Sequence, residues 1–237
     1  MDTVTLDGLQ LLQHYTTDIH WLPGLKVFEC KQATTAFIPF IPLFLSPKTT
    51  DIDIDFVEVV PAVVVASIIS RLSTLCPNIE RVTFNNLPRD PVLVEAVSEM
   101  LLACNRDTLR IFEVDSPLTK EAQEVVYRLP KLFGMWAVIQ GPMSLPTVEL
   151  PDLIQIDIEY DDDLNWLQGL RGATLGKLEA VSFRSESNRI GDFLGAFESV
   201  ARTTSVKNTL SEFKFYTSRS WNPNDSSFRS TSSRQSR

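Results

Sequence analysis

Residues that commonly build metal sites, disulfide frameworks and phosphate-binding loops are scarce in this sequence. Its 237 residues include three cysteines, two histidines and nine glycines. Cys30, Cys76 and Cys104 are odd in number and form no CxxC pair, which argues against a disulfide framework and favours a reducing cytoplasm or nucleus. His14 and His20 have no cysteine partners at zinc spacing. We therefore predict neither a metal nor another cofactor.

Sequence motifs of catalysis and of membrane association are missing as well. No Walker sequence, GxSxG or HExxH occurs, so we do not expect an enzyme. The first twenty residues lack the basic and apolar regions of a signal peptide. The apolar run from Val57 to Ile69 contains Glu58 and Pro61 and is too short to span a bilayer. We therefore expect no membrane partner.

Positive charge is in deficit, with 22 lysines and arginines against 30 acidic residues and a net charge of −8. Phosphate groups are bound by basic surfaces, so nucleic acid is not an expected partner. A basic protein segment would suit this negative field better.

What the chain does contain is one short strand pattern that occurs eight times. A first anchor, usually apolar, is followed three and five residues later by two further apolar or small anchors, and successive first anchors stand 21–32 residues apart. Repeats of roughly 20–29 residues are typical of leucine-rich units. The second and third anchors are two residues apart and therefore share one face of a strand. The triplets are Leu25-Phe28-Cys30, Thr49-Ile52-Ile54, Ile79-Val82-Phe84, Leu109-Phe112-Val114, Leu132-Met135-Ala137, Leu153-Ile156-Ile158, Leu178-Val181-Phe183 and Leu210-Phe213-Phe215.

Helical patterns lie between most of these strands. One covers Val60 to Leu75, and another begins at Asp90-Pro91 as N-cap and first residue. For the second helix we predict a buried stripe made of Val92, Val94, Val97, Leu101 and Leu102. Further along the chain we predict three more helices, Thr119–Leu129, Asp163–Leu170 and Asn188–Val200.

Strands that alternate with helices over short connections predict an α/β fold with parallel strands. We expect a leucine-rich-repeat-like solenoid with the strands on one face and the helices on the other. A doubly wound α/β domain is the alternative, but it is disfavoured by the regular triplets and by the missing glycine-rich loop. The predicted organisation is a helical lead-in over 1–20, about eight repeat units over 21–216, and a disordered Ser/Arg-rich tail over 217–237.

Three phrases give the chain a resemblance to a known family. They are Leu129-Pro130-Lys131-Leu132, Leu153 to Tyr160, and Leu175 to Phe183. Together with the repeat over roughly 20–216, they resemble the repeat region of fungal F-box proteins with leucine-rich-repeat-like domains. The resemblance implies a substrate-recognition part of a ubiquitin-ligase adaptor. In that family an N-terminal F-box docks on a Skp-type linker of a cullin ligase, whereas residues 1–20 are too short for its three helices. A Skp-type partner is thus expected only if an F-box is supplied elsewhere.

The run Asp51-x-Asp53-x-Asp55 invites a calcium interpretation. An EF-hand loop would need glycine where Phe56 stands and glutamate where Ala62 stands. Ile52 and Ile54 instead fit the alternation of a strand. We therefore interpret the aspartates as the solvated face of that strand.

Residues that alternate with the anchors are predicted to line an exposed strand face. This face contains nine acids, four bases and two outward aromatic residues of the kind that often anchor interfaces. We predict that it binds a basic protein segment; the opposing interpretation is that the acids merely keep the sheet soluble. The candidate binding residues are Glu29, Asp51, Asp53, Asp55, Arg81, Glu113, Asp115, Trp136, Asp157, Glu159, Arg184, Lys214 and Tyr216.

Two other classes of function stay open at this point. The chain could be a truncated repeat fragment without independent function, because its eighth strand runs directly into the tail sequence and terminal repeats need a polar cap. It could also be an α/β enzyme of unrecognised type, which would need a concave site with convergent titratable groups.

Overall fold

A computed structural model describes residues 20–56, 60–139, 150, 152–160, 177–185 and 209–217, together with helical residues 191, 194, 195, 197, 198 and 202. Of the predicted segments, the lead-in 1–20 (apart from His20), the helix Asp163–Leu170 and the tail 217–237 lie outside this part of the chain. Thr217 is an exception, because it is the last residue of a strand.

All eight predicted strands are present, and they form one parallel sheet. Each strand begins two residues after its first anchor, as in Leu25 before Val27 and Leu210 before Glu212. The strands are β1 Val27–Ala33, β2 Asp51–Phe56, β3 Arg81–Asn85, β4 Ile111–Pro117, β5 Gly134–Ile139, β6 Gln155–Tyr160, β7 Ala180–Ser185 and β8 Glu212–Thr217.

The order of the strands in the sheet is the order of the chain. Each strand pairs with the next in parallel, from β1 through to β8. The prediction of an α/β fold with a parallel sheet is confirmed. A doubly wound sheet reverses its order at a switch point. Because this sheet contains no reversal, the doubly wound alternative is wrong.

One hydrogen-bond arrangement recurs at the start of every strand after the first. The carbonyl oxygen of Lys26, just before β1, accepts from the backbone N–H groups of both Thr50 and Asp51 at 2.8 and 3.0 Å. Seven such pairs occur in succession, with distances of 2.7–2.9 Å and 3.0–3.2 Å. The accepting carbonyls are those of Lys26, Thr50, Glu80, Arg110, Phe133, Ile154 and Glu179.

The anchors lie in register across the sheet and form its buried face. Ile52 pairs with Val82, and Val82 with Phe112, and all three are fully buried. Among the strand anchors whose burial is described, the exceptions lie in the two outermost strands, where Cys30 is half-buried and Phe213 is 37% exposed. Each outermost strand has a neighbouring strand on one side only, which leaves its side chains less covered.

Four helices and one 3₁₀ turn lie between the first five strands. They are the turn Ile38–Phe40, α1 Ile41–Phe44, α2 Ala62–Leu75, α3 Pro91–Ala103 and α4 Lys120–Val126. None of the helices in the described residues is both long enough and apolar enough to cross a membrane. The cleft lined by Ile54, Phe84, Val65, Ile68 and Leu72 shows that α2 packs on the anchor face of β2 and β3.

The predicted start of α3 is confirmed, but its buried stripe is shifted. The Asp90 carboxylate accepts a hydrogen bond from the N–H of Val92 at 2.9 Å, and Pro91 is the first helical residue. Val92 is 44% exposed, Leu102 is 40% exposed and Val94 is half-buried, so only Val97 and Leu101 of the predicted stripe are buried. The buried apolar residues follow the helical spacing of i, i+3, i+4, i+7 and i+8, and they are Leu93, Ala96, Val97, Met100 and Leu101. Ser98 is buried beside them, and its hydroxyl accepts a hydrogen bond from the N–H of Thr119.

Two valines provide a matched test of this packing. Val82 in β3 is fully buried, whereas Val63 in α2 is 68% exposed. We expect Val82→Ala to lower the free energy of unfolding by about 2 kcal/mol, because it removes buried methyl groups and leaves a cavity. Val63→Ala should leave stability unchanged or slightly raise it, because alanine favours helix. Urea unfolding of both variants measures the difference, and equal losses would contradict the assigned facing of β3.

Candidate protein-binding surface

The side chains that alternate with the anchors form three rows across the face of the sheet opposite α2–α4, which we call the open face. The rows follow directly from the strand register. The first row is Val27, Asp51, Arg81, Ile111, Gly134, Gln155, Ala180 and Glu212. The central row is Glu29, Asp53, Thr83, Glu113, Trp136, Asp157, Ser182 and Lys214. The third row is interrupted by a register shift between β4 and β5, where Val138 pairs with Pro117. Before the shift it contains Asp55 and Asn85, and after the shift it contains Val138, Glu159, Arg184 and Tyr216.

The register therefore brings most of the predicted binding residues onto neighbouring positions. Glu29, Asp53, Glu113, Trp136 and Lys214 share the central row with Asp157. The side chains of Asp157, Glu159, Arg184 and Tyr216 lie outside the described residues, so these four are placed by strand register alone.

Acids at the β1–β3 end of the open face contact bases from the same chain. Lys31 Nζ lies 2.5 Å from Asp53 Oδ2 and 3.2 Å from a carboxylate oxygen of Glu29. Arg81 Nε lies 3.7 Å from Asp51 Oδ1. Burial works against the charge on Lys31, but the two carboxylates outweigh it and raise the pKa of Lys31. This end of the face is thus less negative than its aspartates suggest.

Asp55 and Asp115 support the turn after β3 and hold the backbone in place. Asp115 accepts hydrogen bonds from the N–H groups of Asn86, at 2.5 Å, and of Leu87, at 3.0 Å. Asn86 has a φ of 60° and donates through Nδ2 to Asp55 at 2.5 Å. Asp55 is only 7% exposed. The prediction that Asp55 lies on an exposed surface is therefore wrong, because this turn covers it.

The middle of the open face is more buried than the alternation predicts. Ile111 is 3% exposed and Val138 is 8% exposed, although both alternate with anchors. Thr83 is buried too, and its hydroxyl donates to Glu113 at 3.3 Å. Trp136 is half-buried, with its indole nitrogen out of contact with solvent. The part of Trp136 that solvent reaches is therefore its carbon framework.

The aspartates of β2 and His20 are the acids and the histidine that a metal ion would most readily use, and all of them contact other groups of the chain. Asp51, Asp53 and Asp55 are engaged by Arg81, Lys31 and Asn86. His20 Nδ1 is hydrogen-bonded to the carbonyl of Leu45. Within the described part of the chain, no group of three His, Cys, Asp or Glu residues could hold a metal ion.

The cysteines are poorly suited to nucleophilic chemistry. All three are free thiols. Burial raises the pKa of Cys76 to about 12 and that of Cys104 to about 11. Burial also raises the pKa of Cys30, which is half-buried. Because the thiolate is the reactive form, neither buried cysteine is activated at neutral pH.

No protein-family model, curated protein or solved structure matches this chain.

Sequence reasoning placed Lys31 on this face but missed its contact with Asp53, and it missed Asn86 altogether. Asn86 belongs to the run Asn85-Asn86-Leu87-Pro88, whose residue types are typical of turns and of positive φ. Lys31 directly follows Cys30, the last anchor of β1, and its ammonium contacts Asp53 on the adjacent strand. Asn86 was visible as a turn signal, whereas the contact of Lys31 becomes visible only once β1 and β2 are paired.

Two outward aspartates should differ in their effect on stability. Asp115→Ala leaves two backbone N–H groups without their acceptor, and we expect a loss of about 2 kcal/mol in the free energy of unfolding. Asp53→Ala removes a partly exposed ion pair and should cost less than about 1 kcal/mol. Urea unfolding of both variants measures the contrast. Equal costs would show that Asp115 does not support the turn.

Burial of the thiols predicts an order of chemical modification. At pH 8 in the native protein, iodoacetamide should alkylate Cys30 well before Cys76 and Cys104, because the two buried thiols stay protonated and shielded. Peptide mass spectrometry over a time course resolves the three sites. In urea the three rates should become similar, and rapid alkylation of Cys76 in the native protein would contradict the packing.

Proposed function

We propose that this chain is a non-catalytic scaffold that binds a protein segment on its open face. The observation that carries the proposal is the sheet itself, in which eight parallel strands follow one another in chain order. We further propose that its strand–helix units form a leucine-rich-repeat-like solenoid. In such arrays each unit contacts its neighbours, and the array presents one extended binding surface.

The helix α2 packs on one face of the sheet, and polar side chains keep partial exposure on the other, which supports this choice of surface. Side chains of α2 pack on the anchor face, where they meet Ile54 and Phe84. On the opposite face, Glu29, Asp53 and Glu113 retain partial exposure along one row. A long row of half-exposed polar side chains beside an aromatic residue suits recognition of a polypeptide better than enclosure of a small substrate.

The charge of the open face favours a basic segment. Its outward positions in β1–β4 hold six acids, of which three contact Lys31 or Arg81. Nucleic acid and anionic membrane suit this face poorly because their phosphates would meet carboxylates. The free cysteines favour action in the cytoplasm or nucleus. A role as the substrate-recognition part of a ubiquitin-ligase adaptor, with a Skp-type partner only if an F-box is supplied elsewhere, remains a prediction of the family resemblance.

A peptide library with a matched pair of variants tests the proposal. Random twelve-residue peptides displayed on phage would be selected on the full chain, and the binders would be made synthetically. We expect them to lose at least about tenfold in affinity for E29K/E113K, which reverses two charges of the central row. They should bind unchanged to E95K/E99K, which makes the same charge change on exposed positions of α3.

Three outcomes would overturn the proposal. The library could yield no binder, the binders could lose affinity equally for both variants, or they could be insensitive to both. Fluorescence anisotropy gives the dissociation constants, and circular dichroism confirms that each variant keeps the fold of the parent chain.

A further inference from the structure

We infer that Lys31 competes with the bound segment: in the free chain its ammonium occupies the Glu29–Asp53 pair, and a basic side chain of the segment takes its place. This inference rests on the proposed function, because it concerns how the open face is occupied before a partner binds. It starts from the register, which pairs Glu29 of β1 directly with Asp53 of β2 in the central row. Like charges at directly opposed strand positions repel each other, so this pair favours a cation between its carboxylates.

The chain supplies that cation itself. Lys31 Nζ donates to Asp53 Oδ2 at 2.5 Å and lies 3.2 Å from Glu29 Oε1. Burial opposes the charge on Lys31, yet the two carboxylates raise its pKa, so the ammonium stays protonated at neutral pH. Lys31 stands two residues after Glu29 on the same side of β1. A cation that binds this pair from solution must therefore displace an ammonium that is tethered beside it.

The contacts of Lys31 are weak enough to be exchanged. The side chain of Lys31 is 40% exposed, that of Glu29 is 57% exposed and that of Asp53 is 29% exposed. Ion pairs exposed to this degree are screened by water, and each changes an equilibrium constant by less than about fivefold. The flexible stem of lysine also lets the ammonium move away while the backbone of β1 stays in place. A basic side chain of the segment restores the two contacts that Lys31 gives up.

Arg81, the other base at this end of the open face, is less able to leave its place. Its Nε lies 3.7 Å from Asp51 Oδ1, and this nitrogen is out of contact with solvent. Arg81 stands on β3, which has a neighbouring strand on both sides, whereas Lys31 stands on the outermost strand β1. Of the two bases, Lys31 is therefore the one that a partner can displace without disturbing the sheet.

Affinity measurements on a matched pair of lysine variants test the inference. Lys31→Met removes the competing charge and keeps most of the length of the stem, and Lys26→Met makes the same change at an exposed lysine that precedes β1. For peptides selected on the open face, we expect K31M to bind about threefold to fivefold more tightly than the parent chain, because no ammonium has to be displaced. K26M should bind like the parent chain, and K31R, which retains a cation, should bind close to it.

A double-mutant cycle shows whether the gain arises at the Glu29–Asp53 pair. In the D53N background, which lacks one carboxylate, the gain from K31M should fall below about twofold, because groups in direct contact are not additive. Each lysine of the peptide would also be replaced by norleucine and each arginine by citrulline, which removes the charge and keeps the length. We expect one basic position per peptide whose replacement abolishes the gain, and this is the side chain that exchanges with Lys31. Circular dichroism confirms that each variant is folded.

The outcomes distinguish this inference from the proposed function. If peptides respond to E29K/E113K but bind K31M no more tightly than the parent chain, the open face binds protein and Lys31 is not a competitor. Equal gains for K31M and K26M, or a gain that persists in D53N, would also overturn the inference, because they would reflect overall charge and not this contact. If no peptide binds the open face, both proposals fail.

Discussion

The paired hydrogen bonds at the strand starts set the rest of the structure. Seven carbonyl groups in succession each accept two backbone N–H groups from the next strand. They fix where each strand begins relative to its neighbour, so the anchors meet anchors and the outward residues meet outward residues. Side chains alternate along a strand, and a slip of one residue would therefore exchange the buried and open faces. The core and the candidate surface depend on the same backbone register.

The sequence predicted the structure best where a regular spacing of apolar residues places them all on one face of a strand. The spacing of three and then two residues predicted all eight strands, and burial of Ile52, Val82 and Phe112 follows from it. The phase of α3 was harder to predict because apolar residues occur on more than one side of that helix. Val92 and Leu102 are apolar yet exposed, while the smaller Ala96 is buried. Hydrophobicity alone could not show which side faces the sheet.

The candidate surface could be predicted as a set of positions but not as a pattern of charge. Alternation placed the aspartates of β2 on one side of the strand, and their register confirms this placement. It could not show that Lys31 and Arg81 reach Asp53 and Asp51 from the two adjacent strands. Those contacts join residues 22 and 30 positions apart in the chain. Counting charges therefore overstates the negative field at this end of the sheet.

Positions on the open face differ in how freely they can serve recognition. Asp115 and Asp55 are hydrogen-bonded to the turn at Asn86, and their replacement would destabilise that turn. Glu29 and Trp136 keep part of their surface in solvent and are not among the anchors that fill the core. Substitutions at such positions can change what the face binds at little cost in stability, because the buried anchors provide most of the hydrophobic stabilisation. A sheet of this kind separates residues that fold the chain from residues that can contact a partner. The separation is incomplete wherever a turn uses an outward carboxylate.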